Sequence, residues 1–421
     1  MRFILLLLCP LFLLNAQNKI ELNTLHSNFA LKSSRELYKK ELNEKIKRVS
    51  SAGLSSSAEK AWVDMFKDIS LACLENEIVY SILKTGFENF DKRGLTFQRA
   101  LLETGFAIYP DSFKTEIINI YNTTSDPMLF AYTAQIQRSY EKSISLVAIL
   151  NKLYQKFPGY AEDNILRQFE YDLVNDSVSL RSLLPPIEEL LNHSFEKNAT
   201  IIYSLFSKNR EYPGLTVIKA PDGSFVKDES GEIFSVPQMG VSVSNLPAYV
   251  RGGNTPQGIF SIVGWYVSPT DEIGPTPCVL TRIPFEKPPS TFFHNHNKYK
   301  TWNIEDYKNL LPGSWKNYAP MYQSYYCGKM GRGLIVMHGS VDDLTFYKDK
   351  PYYPMTPTKG CLVTKELWDE NTGDVIESDQ AKLFNAFIST GNTNGYLVVL
   401  DIIDDNRGVT LDDIKKYLKT E

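Results

Sequence analysis

The sequence predicts an α+β protein with more than one domain, in which an all-α domain precedes a mostly β domain. Two patterns predict this order. Apolar residues recur at helical spacing over residues 17–200, and short runs rich in Val, Ile, Phe and Tyr, divided by Gly and Pro, fill residues 212–403. A short C-terminal helix is predicted within residues 404–421. The length of 421 residues suits roughly two to three domains of ordinary size.

The helical prediction rests on apolar stripes and on a capping signal. Two stripes lie at helical spacing: Trp62, Phe66, Ile69 and Cys73, and then Ile144, Val147, Leu150 and Tyr154. Asp126 is predicted to cap a helix that begins at Pro127, because Asp accepts free N–H groups and Pro suits the first turn. Helical hairpins packed in series would produce this pattern. Such a domain is expected to bind either a protein or a glycan partner.

The β prediction rests on short apolar runs between turn residues. Asp222-Gly223 predicts a hairpin turn, and residues 333–337 read as a buried strand. The predicted strands cover residues 216–219, 224–227, 233–236, 240–243, 259–266, 333–337 and 395–403. Helices are predicted at residues 379–388 and 410–418.

Composition excludes two classes of partner. Lys and Arg total 45 against 49 for Asp and Glu, so the net charge is -4. This balance provides no basic surface of the kind that binds nucleic acid. It also provides no polybasic segment for an anionic membrane.

The first 16 residues are predicted to form a secretory signal peptide. Arg2 supplies the positive start, and the apolar run over residues 3–14 is too short to span a bilayer. Cleavage after Ala16 would leave a mature chain that begins at Gln17 and has no membrane span. An uncleaved N-terminal anchor is the alternative.

The residues that indicate chemistry lie between positions 337 and 363. His338 follows an apolar run, and Cys361 follows Gly360. A cysteine attacks a carbonyl carbon as the thiolate, so it needs a neighbouring imidazole or other cation. The glycine would let the backbone turn so that the N–H groups of Gly360 and Cys361 face a developing oxyanion. The alternative is that both residues are structural.

Five segments of the β domain, in this order, resemble the motifs of one family. They are Thr-Pro-Gln-Gly-Ile-Phe at 255–260, Ala-Pro-Met-Tyr at 319–322, His-Gly-Ser at 338–340, Thr-Lys-Gly-Cys at 358–361 and, in the place of the closing strand, Gly-Tyr-Leu-Val-Val at 395–399. This set is similar to the L,D-transpeptidase (YkuD-type) catalytic domain family, and the resemblance covers residues 212–403.

The resemblance implies a sandwich-like catalytic domain and a cysteine acyl-transfer reaction on peptidoglycan stem peptides. Cys361 would be the nucleophile and His338 its base, and the carbonyl of Gly339 or Ser340 would orient the imidazole. Thr358 and Gly360 would shape the oxyanion site, and Tyr322 and Lys359 would bind substrate. The resemblance also implies a periplasmic or cell-envelope location, and it implies no metal and no cofactor.

The sequence also departs from the family pattern. Twenty-three positions separate His338 from Cys361, which is long for the family, and residues 342–355 are expected to form a lid or rim over the cleft. The arginine common two residues after the cysteine is replaced by Val363, so Lys359 or Lys365 would have to substitute. Water as the acyl acceptor would make the protein a carboxypeptidase or peptide hydrolase. A non-catalytic wall-binding scaffold is the alternative of another class.

Two other groups of residues have competing interpretations. His294 and His296 are two potential metal ligands without a third nearby, so a surface loop is the preferred interpretation. Cys278 and Cys327 are candidates for one disulfide bond, although sequence cannot establish pairing.

Overall fold

The computed structural model describes residues 19–141, 143–295 and 298–418, so the predicted signal peptide lies outside the described residues. The first half of the described chain is helical, as predicted. Its α-helices are α1 (Lys32–Ser51), α2 (Glu59–Leu71), α3 (Glu77–Glu88), α4 (Leu95–Ile108), α5 (Lys114–Thr123), α6 (Pro127–Tyr140), α7 (Leu146–Lys156), α8 (Leu166–Val174), α9 (Leu180–Leu183) and α10 (Ile187–Asn192). Within the described ranges, no helix combines the length and apolar character needed to cross a bilayer.

The local helix signals are confirmed in part. The Asp126 side chain accepts the Leu129 N–H at the start of α6, with Pro127 in the first turn. Trp62, Phe66 and Ile69 are buried on one face of α2, as the stripe predicts.

Two details of the predicted stripes are wrong. Cys73 lies beyond the end of α2, at a left-handed φ of 44°. In α7 the buried positions are Ile149 and Leu153, whereas Val147 is 64% exposed. The predicted stripe of α7 is therefore displaced around the helix, because tertiary packing rather than spacing alone decides which face is buried.

The second half of the described chain forms one large sheet of eight strands and a separate sheet of two. The order in the large sheet is β3-β2-β1-β10-β4-β5-β6-β7, with β1 parallel to β10 and β6 parallel to β7. The strands are β1 (Thr200–Ser207), β2 (Gly214–Lys219), β3 (Ser235–Gln238), β4 (Gly258–Tyr266), β5 (Cys278–Arg282), β6 (Met337–His338), β7 (Leu362–Val363), β8 (Glu366–Trp368), β9 (Val375–Ser378) and β10 (Asn394–Ile403).

Both faces of the large sheet are buried. Alternate residues of β10 enter two hydrophobic clusters: Tyr396 and Val398 belong to one, and Leu397 and Val399 belong to the other. In the described ranges, five α-helices lie among or after the strands: α11 (Pro289–Phe292), α12 (Ile304–Lys308), α13 (Gln323–Lys329), α14 (Asp379–Ser389) and α15 (Leu411–Lys415). A helix therefore occupies each of the two C-terminal segments where the sequence predicts one.

The strand predictions need correction at several places. Residues 224–227 form only isolated bridges, at Phe225 and Lys227, and β5, β8 and β9 were not predicted. Residues 201–211 belong to neither predicted domain, yet they contain most of β1, which pairs with both β2 and β10. A strand buried on both faces lacks the alternation that sequence reasoning looks for. Residues 240–243 form only an isolated bridge between Ser242 and Thr358. The strand predicted at 333–337 is reduced to β6, because Leu334 has a left-handed φ of 58° and its N–H bonds Glu286.

The helical half and the sheet half share one core. Leu246, Tyr249 and Val250, from the loop between β3 and β4, belong to the same buried cluster as the helices. The Gln135 side-chain amide of α6 donates to the Tyr249 hydroxyl at 2.6 Å, and the Tyr132 hydroxyl donates to the Arg251 carbonyl at 2.7 Å. The loop of residues 246–253, here called the docking loop, therefore attaches the sheet to the helices.

The insertion between His338 and Cys361 also packs against the helical half. The Lys39 ammonium of α1 pairs with the Asp343 carboxylate at 2.9 Å. The Cys73 thiol lies 3.4 Å from the Tyr347 hydroxyl oxygen. These contacts hold residues 342–355 against α1 and the end of α2.

We expect Tyr249→Ala to destabilise the whole protein by about 3–5 kcal/mol, because an aromatic side chain that is 1% exposed is removed from the shared core. Chemical denaturation followed by circular dichroism and by tryptophan fluorescence would measure the loss. The matched control is Tyr353→Ala, which removes a tyrosine that is 44% exposed and should change stability by less than about 0.5 kcal/mol. Equal effects of the two substitutions would contradict the shared core.

Candidate active site

The ladder between β6 and β7 brings the two predicted catalytic residues to neighbouring segments. His338 pairs with Val363, and the Leu362 N–H donates to the Val336 carbonyl at 3.0 Å. Cys361 immediately precedes β7. His338 and Cys361, which are 23 positions apart in sequence, therefore lie on adjacent segments, with Cys361 two residues before the residue that pairs with His338.

The turn that presents Cys361 is built from the Thr-Lys-Gly-Cys segment. The Thr358 hydroxyl accepts the Gly360 N–H at 3.0 Å and lies 3.1 Å from the Cys361 carbonyl oxygen, to which it donates. The Thr255 hydroxyl donates to the Gly360 carbonyl at 3.0 Å, so the Thr-Pro-Gln-Gly segment supports the same turn. The Gly360 N–H is therefore occupied, whereas the Cys361 N–H has no hydrogen-bond partner within the described residues.

A buried arginine explains why position 360 is glycine. Gly360 has φ +105°, and an added Cβ would lie 2.0 Å from a terminal nitrogen of Arg332. The Arg332 guanidinium is 8% exposed and donates to the carbonyls of Ala248 and Gly253 in the docking loop. Among the described residues it has no carboxylate partner within ion-pair distance. A buried cation of this kind is held only by dipoles and by any anion that forms nearby.

Opposing effects act on the pKa of the Cys361 thiol. Burial raises its pKa above the ordinary value, while a backbone hydrogen bond from Val336 and the charge of Arg332 lower the pKa. The charge of Glu286 acts in the direction of burial. The thiol itself donates to the Leu334 carbonyl at 3.4 Å. The resting residue is therefore a protonated thiol beside a cation that favours its deprotonation.

The His338 imidazole is held in its neutral form. Burial lowers its pKa to about 4, against a smaller opposing effect of the hydrogen bond to Gly339. Nδ1 lies 2.5 Å from the Gly339 carbonyl oxygen, so Nδ1 carries the proton and Nε2 is left as the acceptor. Among the described residues no hydrogen bond joins this imidazole to the Cys361 thiol.

Gly339 and Ser340 have different surroundings. An added Cβ on Gly339 would lie 2.0 Å from the Glu366 carboxyl, which is buried and receives the hydroxyls of Thr276 and Ser378. Burial raises the pKa of Glu366 to about 7. The Ser340 hydroxyl instead donates to Asp342 at 2.8 Å. Of the two carbonyls predicted to orient the imidazole, Gly339 is the one in contact with it.

Cys361 lines a cleft of about 700 Å³ between the helical half and the sheet half. Helices α2 and α4 form one wall, and the sheet side includes Phe285, Glu286 and residues 331–334. No residue of the 342–355 insertion lines this cleft, which corrects the expectation of a lid or rim. His338 is 5% exposed and is not part of the lining.

The two predicted substrate-binding residues, Lys359 and Tyr322, lie in different cavities. Lys359 lines the cleft and pairs with Glu103 of α4 at 3.2 Å. Lys365 pairs with Glu377 at 2.7 Å outside the cleft, so it does not replace the missing arginine. Tyr322 is buried in the lining of a different cavity, and its hydroxyl donates to the Lys316 carbonyl at 2.6 Å.

Arg332 is the residue that sequence reasoning missed. It places a guanidinium near Cys361, although it precedes the cysteine by 29 positions instead of following it by two. Its only sequence signal is its position between Gly331 and Gly333, just before an apolar run.

The alternative metal and disulfide interpretations gain no support from the described residues. Nε2 of His294 lies 3.0 Å from both the Ser261 hydroxyl and the Gly395 carbonyl oxygen, while His296 lies outside the described residues. The described ranges contain no group of three or more His, Cys, Asp or Glu side chains that could hold a metal ion. Cys278 and Cys327 are free and buried.

No protein-family model matches the sequence, and comparisons with the curated proteins and with the solved structures found no match.

We expect Arg332→Gln to slow alkylation of Cys361 at pH 7 by about tenfold, because loss of a neighbouring positive charge raises the thiol pKa by about one unit. The pH dependence of iodoacetamide labelling, followed by peptide mass spectrometry, would measure it.

Arg332→Lys, which keeps the charge, should react more like the parent protein. The partly buried Cys73 lies outside the cleft and serves as an internal control within each sample. An unchanged pH dependence of Cys361 labelling in a folded Arg332→Gln protein would show that the guanidinium does not stabilise the thiolate.

Proposed function

We propose that the protein is an exported cysteine acyltransferase of the L,D-transpeptidase type that acts on peptidoglycan stem peptides. The observation that carries the proposal is the β6–β7 ladder, which holds His338 beside the segment that presents Cys361 to a cleft. The ordered motifs of the β domain supply the family resemblance. A sandwich-like catalytic domain and a periplasmic or cell-envelope location belong to the same proposal.

The proposed reaction forms a thioester. The Cys361 sulfur attacks the carbonyl carbon of the amide between the third stem residue and a terminal D-alanine, and Nε2 of His338 accepts the thiol proton. The carbon–nitrogen bond then breaks, and the imidazolium returns that proton to the departing D-alanine amine. An amine of a second stem resolves the thioester to a cross-link, and water resolves it to a free carboxylate.

The contacts around the thiol support this chemistry. The free Cys361 N–H is a donor for the tetrahedral oxyanion, and Arg332 adds positive charge beside the reacting sulfur. The absence of a thiol–imidazole hydrogen bond among the described residues is compatible with catalysis, because such bonds often tighten only when substrate binds. Rotation of the thiol away from the Leu334 carbonyl would be required.

The second candidate is a non-catalytic wall-binding protein. The observation that favours it is the resting thiol, whose pKa is raised and whose hydrogen bond goes to the Leu334 carbonyl instead of to His338. In that case the cleft would bind a peptide without acylation.

We expect the mature protein to release D-alanine from a synthetic stem tetrapeptide and to gain the mass of the acyl group on Cys361. Cys361→Ala should abolish both signals, and His338→Asn should slow acylation by about 10²–10⁴-fold through loss of the base. Intact-mass spectrometry and amino-acid analysis would detect the two products. Cys73→Ala is the matched control and should retain activity.

The reaction products would also distinguish the possible acyl acceptors, and the enzymatic candidate from the non-catalytic one. A cross-linked dimer identifies an amine acceptor, and a tripeptide identifies water. Peptide binding without any adduct, in a protein with native circular dichroism, would establish the non-catalytic candidate and end the enzymatic one.

We expect kcat/KM for acylation to stay nearly constant from about pH 8 to about pH 5 and to fall near pH 4. His338 is neutral above its pKa of about 4 and loses its capacity to accept a proton only below that pH. A pH profile of single-turnover acylation would locate this limb. An acidic limb centred near 6.5, the ordinary histidine value, would show that the imidazole is not shielded in the working enzyme.

A further inference from the structure

The cleft at Cys361 carries an excess of positive charge. Five basic side chains line it, against two acidic ones, Glu103 and Glu286. The basic residues are Lys67, Arg99, Arg251, Arg332 and Lys359. A concave site lined by one sign of charge attracts a ligand of the opposite sign.

Both acidic residues of the cleft are already engaged. Glu103 pairs with Lys359 at 3.2 Å. Glu286 accepts the N–H groups of Ile283 and Leu334, each at 2.8 Å. Among the described residues, neither carboxylate lies within ion-pair distance of Arg99, Arg251 or Arg332, so these three guanidinium groups have no carboxylate partner there.

One of the basic residues without a carboxylate partner is Arg99, a partly buried arginine on α4. Nε of Arg99 is buried and has no hydrogen-bond partner, and its guanidinium has no ion-pair partner within the described ranges. Arg332 is more than nine-tenths buried, donates to two carbonyl oxygens and lies beside the Cys327 thiol, with no carboxylate partner among the described residues. A buried donor without a partner, such as Nε of Arg99, is costly unless a ligand satisfies it.

We infer that the α4 wall of the cleft recognises substrate, with Arg99 binding a carboxylate of an anionic peptide while Arg332 favours negative charge at the reacting end. Arginine suits this role because its planar fork can donate two parallel hydrogen bonds to one carboxylate. The cleft volume of about 700 Å³ is in the range of pockets that hold small ligands and accommodates a short peptide. Arg251, exposed at the same cleft, adds charge that attracts the peptide.

This inference extends the proposed function, since the bound peptide is the acyl donor for Cys361. It also assigns a task to the helical domain. α4 supplies specificity for peptides with free carboxylates, and the sheet half supplies the nucleophile and base.

The test measures binding separately from chemistry. Cys361→Ala protein is titrated calorimetrically with a synthetic tetrapeptide that contains glutamate and ends in D-alanine, and with the same peptide whose carboxyl groups are amidated. We expect the free-acid peptide to bind at least about tenfold more tightly, and Arg99→Ala to remove that preference.

Matched variants isolate the charge at position 99. Arg99→Lys should keep part of the affinity, and Arg48→Ala, which removes an exposed arginine of α1 outside the cleft, should change nothing. Equal affinity for the two peptides, no binding of either, or an Arg99→Ala protein that binds like its parent would overturn the inference.

A kinetic measurement distinguishes this failure from failure of the proposed function. With Cys361 present, Arg99→Ala should raise KM for acylation about tenfold and leave kcat within about twofold of the parent value. An unchanged KM with active enzyme would reject only the role of Arg99. A parent protein that binds the free-acid peptide through Arg99 but never forms an adduct would reject only the enzymatic proposal.

Discussion

The buried guanidinium of Arg332 is the interaction on which the geometry of the cleft depends. It donates to the carbonyls of Ala248 and Gly253, which lie near the two ends of the docking loop. That loop inserts Tyr249 into the core of the helical half. The same guanidinium packs against Gly360, so one side chain connects the helical half to the turn that presents Cys361. Since the charge has no carboxylate partner among the described residues, its burial is costly, and a cost of this kind is consistent with a functional site.

The thiol and the imidazole rest in their neutral forms for the same physical reason. Removal from water disfavours charge on both groups, which raises the pKa of Cys361 and lowers that of His338 to about 4. A preformed thiolate–imidazolium pair is therefore not the resting state. In the proposed reaction the proton would therefore leave sulfur as the carbon–sulfur bond forms, with His338 as the general base. In the same proposal Arg332 would stabilise negative charge that appears only during the reaction, which is how a fixed charge accelerates a chemical step.

Sequence reasoning predicted the order of the two halves and the segments that surround the site, but not the contacts between them. The motif residues Thr358 and Gly360 could be identified because their chemistry is local: a hydroxyl that supports a turn and a glycine at positive φ. β1 was missed because it is buried on both faces and shows no alternation. Arg332 was missed because its role comes from carbonyls about 80 residues earlier in the chain. Long-range packing of this kind leaves no local pattern, and the same limit applies to the insertion, which packs against α1 and not over the cleft.

The helical half is therefore part of the site rather than an attached module. One wall of the cleft belongs to α2 and α4, and the loop that holds Arg332 in place is buried among the helices. A sheet half without the helices would expose Tyr249 and Val250 and would lose the contacts that hold the docking loop. The guanidinium beneath Gly360 would then bond carbonyls of a loop free to move. Cys361, the proposed nucleophile, and Arg99, the proposed substrate contact, thus line one cleft whose geometry depends on the interface between the two halves.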